Sequence, residues 1–210
     1  MKNPYQDWEK FYHFEKMPGA NYRYDYIQIA EDLNKFKIEN DIESAAALVR
    51  AMAKNDLFFL LYFVLNIPQV NHKFILNRIY ETQDGIHRTI NLWSRGHFKS
   101  TIITYGAIIW ILLNEPEARI GIFSHTRGIA QSFLRRIKTT LETNAMLKLA
   151  FSDILFVNPE KESSKWSEDV GITIKRKGQY NECSLEAWGV VENMPTGRHF
   201  THLFFDDHVS

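Results

Sequence analysis

Hydrophobic and polar positions change their rhythm part-way along this chain. Over the first part, apolar residues recur at helical spacing, and from about residue 88 short apolar runs alternate with helical segments. Ile27, Ala30, Leu33 and Phe36 predict a helix within Tyr22–Ile38. Asp41 reads as an N-cap, with Ser44 at the third helical position, opening a helix over Ile42–Ala53. A second apolar helix over Asp56–Leu65 is closed by Ile67-Pro68. His72–Thr82 supplies another helix, and Gln83-Asp84-Gly85 a turn. Arg88–Trp93 then reads as a strand, Thr101–Leu113 as an apolar helix, Ala118–Phe123 as a strand and Ile129–Leu149 as one long helix. Strands are further predicted over Ile154–Val157, Val170–Arg176, Ser184–Val190 and His202–Phe205. Strands alternating with helices predict a mostly parallel sheet, with ligands at the carboxyl ends of its strands.

Composition narrows the class. The 210 residues are 45% hydrophobic and 24% charged, which fits a globular domain. Lys+Arg and Asp+Glu both number 25, so the formal charge is 0, which argues against a polycationic nucleic-acid coat and leaves room for a local basic groove. The single Cys183 cannot form an internal disulfide or a cysteine zinc site. A reducing setting follows. The apolar run Leu57–Leu65 is far shorter than the ~20 residues a membrane span needs, and reads as a buried helix.

Two segments carry chemistry. Ser94-Arg95-Gly96-His97-Phe98-Lys99-Ser100-Thr101 follows a predicted strand and opens a predicted helix. Backbone N–H groups at a helix start point toward an anion. Lys99 would reach terminal phosphates as a mobile charge, and the Ser100 hydroxyl would ligate Mg2+. The match to G-x-x-x-x-G-K-[ST] is imperfect, since Trp93 and Phe98 stand at the two glycine positions. The bland alternative is an amphipathic helix start with Gly96 in an ordinary turn. The second segment is Leu203-Phe204-Phe205-Asp206-Asp207, an apolar strand ending in two acids. Asp206 would hold the magnesium, and Asp207 lies where a carboxylate orients or deprotonates an attacking water.

These residues resemble the ATPase domain of the large terminase subunit of tailed bacteriophages, which pumps DNA into an empty capsid. Ser94 to Thr101 resembles that family's deviant Walker A loop, with an early arginine and missing glycines. Ile122-Phe123-Ser124-His125-Thr126, the helix around Phe133-Leu134-Arg135-Arg136-Ile137, and Gly197-Arg198 ahead of the Asp206-Asp207 ending are similar to its later segments. The resemblance implies an α/β P-loop NTPase of RecA/ASCE-like type, a mostly parallel sheet flanked by helices. It implies a helical lead-in over residues 1–66 and an ATPase core over residues 67–210, incomplete at its carboxyl end. It further implies ATP and Mg2+ as cofactors, Gln69 as a reader of the adenine edge, and Arg95, Lys99 and Asp207 as catalytic groups. Its partners would be double-stranded DNA, the portal protein, the small terminase subunit and further copies in a ring on the portal, in the host cytoplasm and away from membranes. The family continues beyond the acid pair with a coupling motif and a nuclease domain, whereas this sequence stops at Ser210, so no nuclease activity is expected. Other readings are a non-catalytic nucleotide-binding or assembly module, and a helicase-type P-loop ATPase.

Two basic clusters, Arg135-Arg136 with Lys138 and Lys175-Arg176-Lys177, could touch a DNA backbone, though a solvated charged face is the commoner role of such clusters. His199, His202, Asp206 and His208 lie close in sequence but lack fixed metal-ligand spacing.

Overall fold

A computed structural model describes residues 14–85, 88–94, 96–191 and 195–206. The chain divides into two compact units, residues 1–90 with 145–150, and residues 91–144 with 151–210.

The first unit is helical. Helix α1 (Tyr26–Ile38) is capped by Asp25, whose carboxylate accepts from the N–H groups of Ile27 and Gln28. Helix α2 (Ile42–Asn55) is capped by Asp41, which accepts from Ser44 N at 3.0 Å. Such a cap satisfies a first-turn donor that the helix itself cannot. Asp56 both ends α2 and caps α3 (Leu57–Phe59), which runs on as a π-helical turn, Leu60–Val64. A 3-10 turn (Pro68–Val70) and α4 (Lys73–Asp84) follow.

Aromatic side chains fill this unit's core. Phe14 meets Tyr62 edge-on at 5.4 Å, and Tyr26 and Phe58 lie 5.1 Å apart. Each fully buried ring of this kind contributes about 1.5–3 kcal/mol. Residues 145–150 form α7 (Ala145–Ala150), which packs on α2 and offers the Ala150 carbonyl to Arg50 Nη1 at 2.8 Å.

The second unit is built on a five-stranded sheet. Lys99 and Ser100 are already helical and lead into a π-helical segment, Thr101–Ala107, which continues as α5 (Ile108–Asn114). Next come β1 (Ile120–Ser124), α6 (Arg127–Thr143) and a short α8 (Pro159–Glu162). The remaining strands are β2 (Trp166–Ser167), β3 (Gly171–Ile172), β4 (Leu185–Gly189) and β5 (His202–Phe205). The strand order is β2-β3-β4-β1-β5. Helix α6 turns Leu134, Ile137 and Leu141 inward and packs on β1 and β4.

The expected mostly parallel P-loop sheet is not what forms. β1 pairs in parallel with β4 and β5, but β2–β3 and β3–β4 are antiparallel, so the sheet is small and mixed. The reason lies in the connections. Only a turn joins β2 to β3, and no helix lies between β3 and β4. A parallel return needs a crossover of a dozen or more residues, usually helical.

Three expected strands also change. Ile154–Val157 is turn and bend, and Val170–Arg176 shortens to Gly171–Ile172. Arg88–Trp93 is irregular, with Ile90 and Leu92 88% and 90% exposed, so the segment alternates like a strand but buries neither residue. The helix expected over Ile129–Leu149 ends at Thr143, because Asn144 takes extended backbone angles before α7 begins.

Candidate functional site

Local backbone geometry shapes the loop ahead of the long helix. Gly96 has φ +83, with open space where a Cβ would stand. Phe98 has φ +59, a left-handed conformation that a bulky side chain rarely takes. This is the position where the phosphate-loop pattern places its second glycine. A glycine would adopt this conformation without strain, and Phe98 does not. His97 Nδ1 lies 3.1 Å from Ser94 O and closes the turn.

The helix starts immediately afterwards, with Ile102 N donating to Phe98 O at 2.9 Å. A left-handed residue followed by right-handed helix turns successive N–H groups toward one point, a concavity suited to an anion. The helix supplies no carbonyl for the N–H groups of its first turn, which begins with Lys99, Ser100 and Thr101.

The acid that faces this loop comes from the sheet. β5 runs parallel to β1 with Phe123 opposite Phe205, and those rings stack at 5.1 Å. The pairing continues past the strand: Asp206 N donates to Phe123 O at 2.9 Å, and the Ser124 hydroxyl donates to Asp206 O at 2.9 Å. Asp206 is 3% exposed. Its Oδ1 lies 3.8 Å from Lys99 Nζ. That separation makes an ion pair but is too long for a hydrogen bond. A buried carboxylate needs a compensating charge or hydrogen bonds. Among the described residues, Lys99 is the only charged side chain within ion-pair distance of it.

The arrangement suits a metal–phosphate group. Mg2+ bound with a phosphate ligand takes one or two protein carboxylates and fills its other positions with phosphate oxygens and water. The Asp206 carboxylate and the Ser100 hydroxyl are donors of the right kind, and Lys99 is a cation able to turn to a phosphate. No cluster of three or more His, Cys, Asp or Glu side chains able to hold a metal exists among the described residues. His202 instead lies against Glu115, with Nε2 3.8 Å from Oε2, and His199 is exposed.

The remaining predicted residues fall in several places. Ser94, Gly96 and His97 are exposed on the loop, and Phe98, Ser100 and Thr101 are half-buried. Gln69 is exposed on the 3-10 turn of the first unit. Arg95, Asp207 and His208 lie outside the described residues. Sequence reasoning gave Ser124 no role of its own. The available signal was a buried hydroxyl closing the otherwise apolar strand Ile120–Ser124.

The basic clusters are largely occupied within the fold. Arg135 pairs with Glu168 at 2.7 Å, Arg136 stacks over the Tyr105 ring at 3.8 Å, and Lys138 meets Glu142 at 2.6 Å. Lys175 Nζ donates to Ser152 O at 2.8 Å, Arg176 Nη2 to Glu182 O at 2.6 Å, and the Lys177 backbone N–H to Glu117 Oε1 at 2.7 Å. Those backbone donors from Lys177 and Gly178 hold the Glu117 carboxyl below its ordinary range, the Lys177 N–H contributing most. Cys183 is buried, and desolvation raises its thiol pKa.

Comparison with protein-family models, curated proteins and solved structures gives no match. No helix among the described residues is long and apolar enough to cross a membrane.

Proposed function

We propose that this chain binds ATP with Mg2+ at the head of the helix beginning at Lys99. The observation that carries the reading is the Lys99–Asp206 pair, 3.8 Å apart, with the lysine on a helix start and the acid at a strand tip. Lys99 and the first-turn amides take the phosphates. Ser100 and Asp206 take the metal. Without nucleotide, Lys99 and Asp206 neutralise each other. With it, Lys99 turns to phosphate oxygens and the Asp206 carboxylate to the cation, so the buried Asp206 charge keeps an opposite partner.

ATP hydrolysis extends this reading, with Asp207 handling the water and Arg95 neutralising charge on the terminal phosphate. Work on double-stranded DNA in a packaging motor, alongside portal protein and small terminase subunit in the host cytoplasm, is the setting that the resemblance to terminase large subunits supports. A second reading is nucleotide binding without turnover. It is favoured by the irregular Arg88–Trp93 segment, which leaves the loop without the flanking strand that a hydrolytic phosphate loop uses as its anchor.

Equilibrium binding of Mg·ATP to the full chain tests the proposal. Lys99→Ala should weaken it about 10- to 100-fold, the loss expected for one charge-assisted contact. Wild-type affinity in that variant would end the assignment, and turnover measured alongside separates the two readings.

A further inference from the structure

We infer that Ser124 is a positioning residue for Asp206, an inference that rests on the reading of the Lys99–Asp206 pair as a metal–phosphate site. β1 is apolar and buried up to its last residue, where a serine with no exposed surface takes the place of another hydrocarbon. Its hydroxyl is not spent on its own strand. It crosses to the residue that follows β5 and donates to the main-chain carbonyl of Asp206 at 2.9 Å. On the other side of the same residue, Asp206 N donates to Phe123 O at 2.9 Å.

Both main-chain polar groups of Asp206 are thereby held by consecutive residues of β1. The β1–β5 register pairs Phe123 with Phe205, and carrying it one residue further sets Ser124 opposite Asp206. β5 itself ends at Phe205, so residue 206 has left the strand. Without the serine, the contacts among the described residues would hold the Asp206 main chain by its N–H alone.

Among the described residues, the carboxylate itself is held only by Lys99, 3.8 Å away. A metal ligand must be aimed within a fraction of an ångström and about 10–20° to be effective. In Asp206 that aim comes from the backbone, and Ser124 fixes the half of it that the sheet does not. Ser124 touches neither phosphate nor metal in this account, and acts only through Asp206.

The test is Mg2+-dependent and Mg2+-free ATP binding to the full chain carrying Ser124→Ala. The Mg2+ concentration giving half-maximal nucleotide affinity should rise about tenfold, as for the loss of one neutral hydrogen bond. The weaker affinity for ATP in excess chelator should stay within about twofold of wild type, because Lys99 and the helix amides do not depend on the hydroxyl. A purely structural serine would lower both affinities together or neither, and either outcome overturns the inference.

If Ser124→Ala does not fold, Ser124→Cys keeps the volume with a much weaker donor. The Mg2+ requirement should again rise, and an unchanged requirement there overturns the inference equally. Lys99→Ala measured in parallel separates the two levels. Intact binding in that variant removes the site itself, whereas impaired binding there with a normal Mg2+ requirement in the Ser124 variant removes only the role of Ser124.

Discussion

Each compact unit buries an aspartate, and the two are treated in opposite ways. In the helical unit, Asp56 accepts from the Tyr26 hydroxyl, from Phe58 N at 3.2 Å and from Phe59 N at 3.1 Å. Its neighbourhood is closed as well, with the Tyr26 and Tyr80 hydroxyls 3.1 Å apart and Arg23 stacked on the Tyr80 ring. In the sheet unit, Asp206 has its main chain fastened on both sides, yet its carboxylate meets Lys99 at 3.8 Å. Burial costs both residues solvation. Asp56 recovers part of it through the contacts that cap α3, whereas among the described residues the Asp206 carboxylate meets Lys99 at ion-pair distance and no hydrogen-bond donor. A buried acid with satisfied oxygens serves the fold, and one with a fixed backbone and underused oxygens is suited to a ligand.

The largest effect should come from Asp56. Asp56→Ala leaves two backbone donors and a tyrosine hydroxyl without their acceptor, and should cost about 3–5 kcal/mol in chemical denaturation. A cost under about 1 kcal/mol would erase the contrast. The same residue makes a pH prediction. Desolvation raises the Asp56 carboxyl above its ordinary value, against the lowering influence of its hydrogen bonds. A raised folded-state pKa means a contribution that is fully present below the unfolded value of 3.8 and is lost as pH rises through the folded one. Relative to Asp56→Asn, the wild type should therefore lose stability as pH climbs from about 4, and an opposite slope would contradict the burial account.

Asp206→Asn sharpens the contrast from the other side. Removing a buried charge whose lysine partner stands 3.8 Å away and reaches solvent should leave stability within about 1 kcal/mol of wild type, or raise it, while Mg·ATP binding falls. A smaller gain is expected from Phe98→Gly, which relieves a left-handed backbone at a bulky residue. Allowing for the added freedom of the unfolded chain, it should stabilise by about 0.5–1 kcal/mol. Melting below wild type would show that the ring contributes more than the strain costs. The smallest effect concerns DNA. Substituting alanine at Lys175 and Arg176 should leave the salt dependence of DNA binding unchanged, since both side chains are tied within the fold. A slope shallower by about 2 would place them on the phosphate backbone after all.

The local signals in the sequence translated into structure better than the long-range ones. The Asp41 cap and the helix over Ile42–Asn55 are fixed by neighbours a few residues away. Sheet direction is different. Gly171–Ile172 carries no mark of its orientation, which is set by the short connections before and after it. Arg88–Trp93 has strand-like alternation, but alternation cannot supply a partner strand. The Lys99–Asp206 proximity could be suspected from the chemistry each residue lacks alone. The cross-strand bond from Ser124 could not, because it depends on a register that no local pattern encodes.

A double-substitution cycle on Lys99 and Asp206, read as Mg·ATP affinity of the full chain, tests whether the two side chains act on one bound group. If the two residues hold one metal–phosphate group, Lys99→Ala and Asp206→Asn each weaken binding at least about tenfold, and the double variant falls well short of the product of the two losses. Losses that simply multiply, or wild-type affinity in either single variant, would contradict the account.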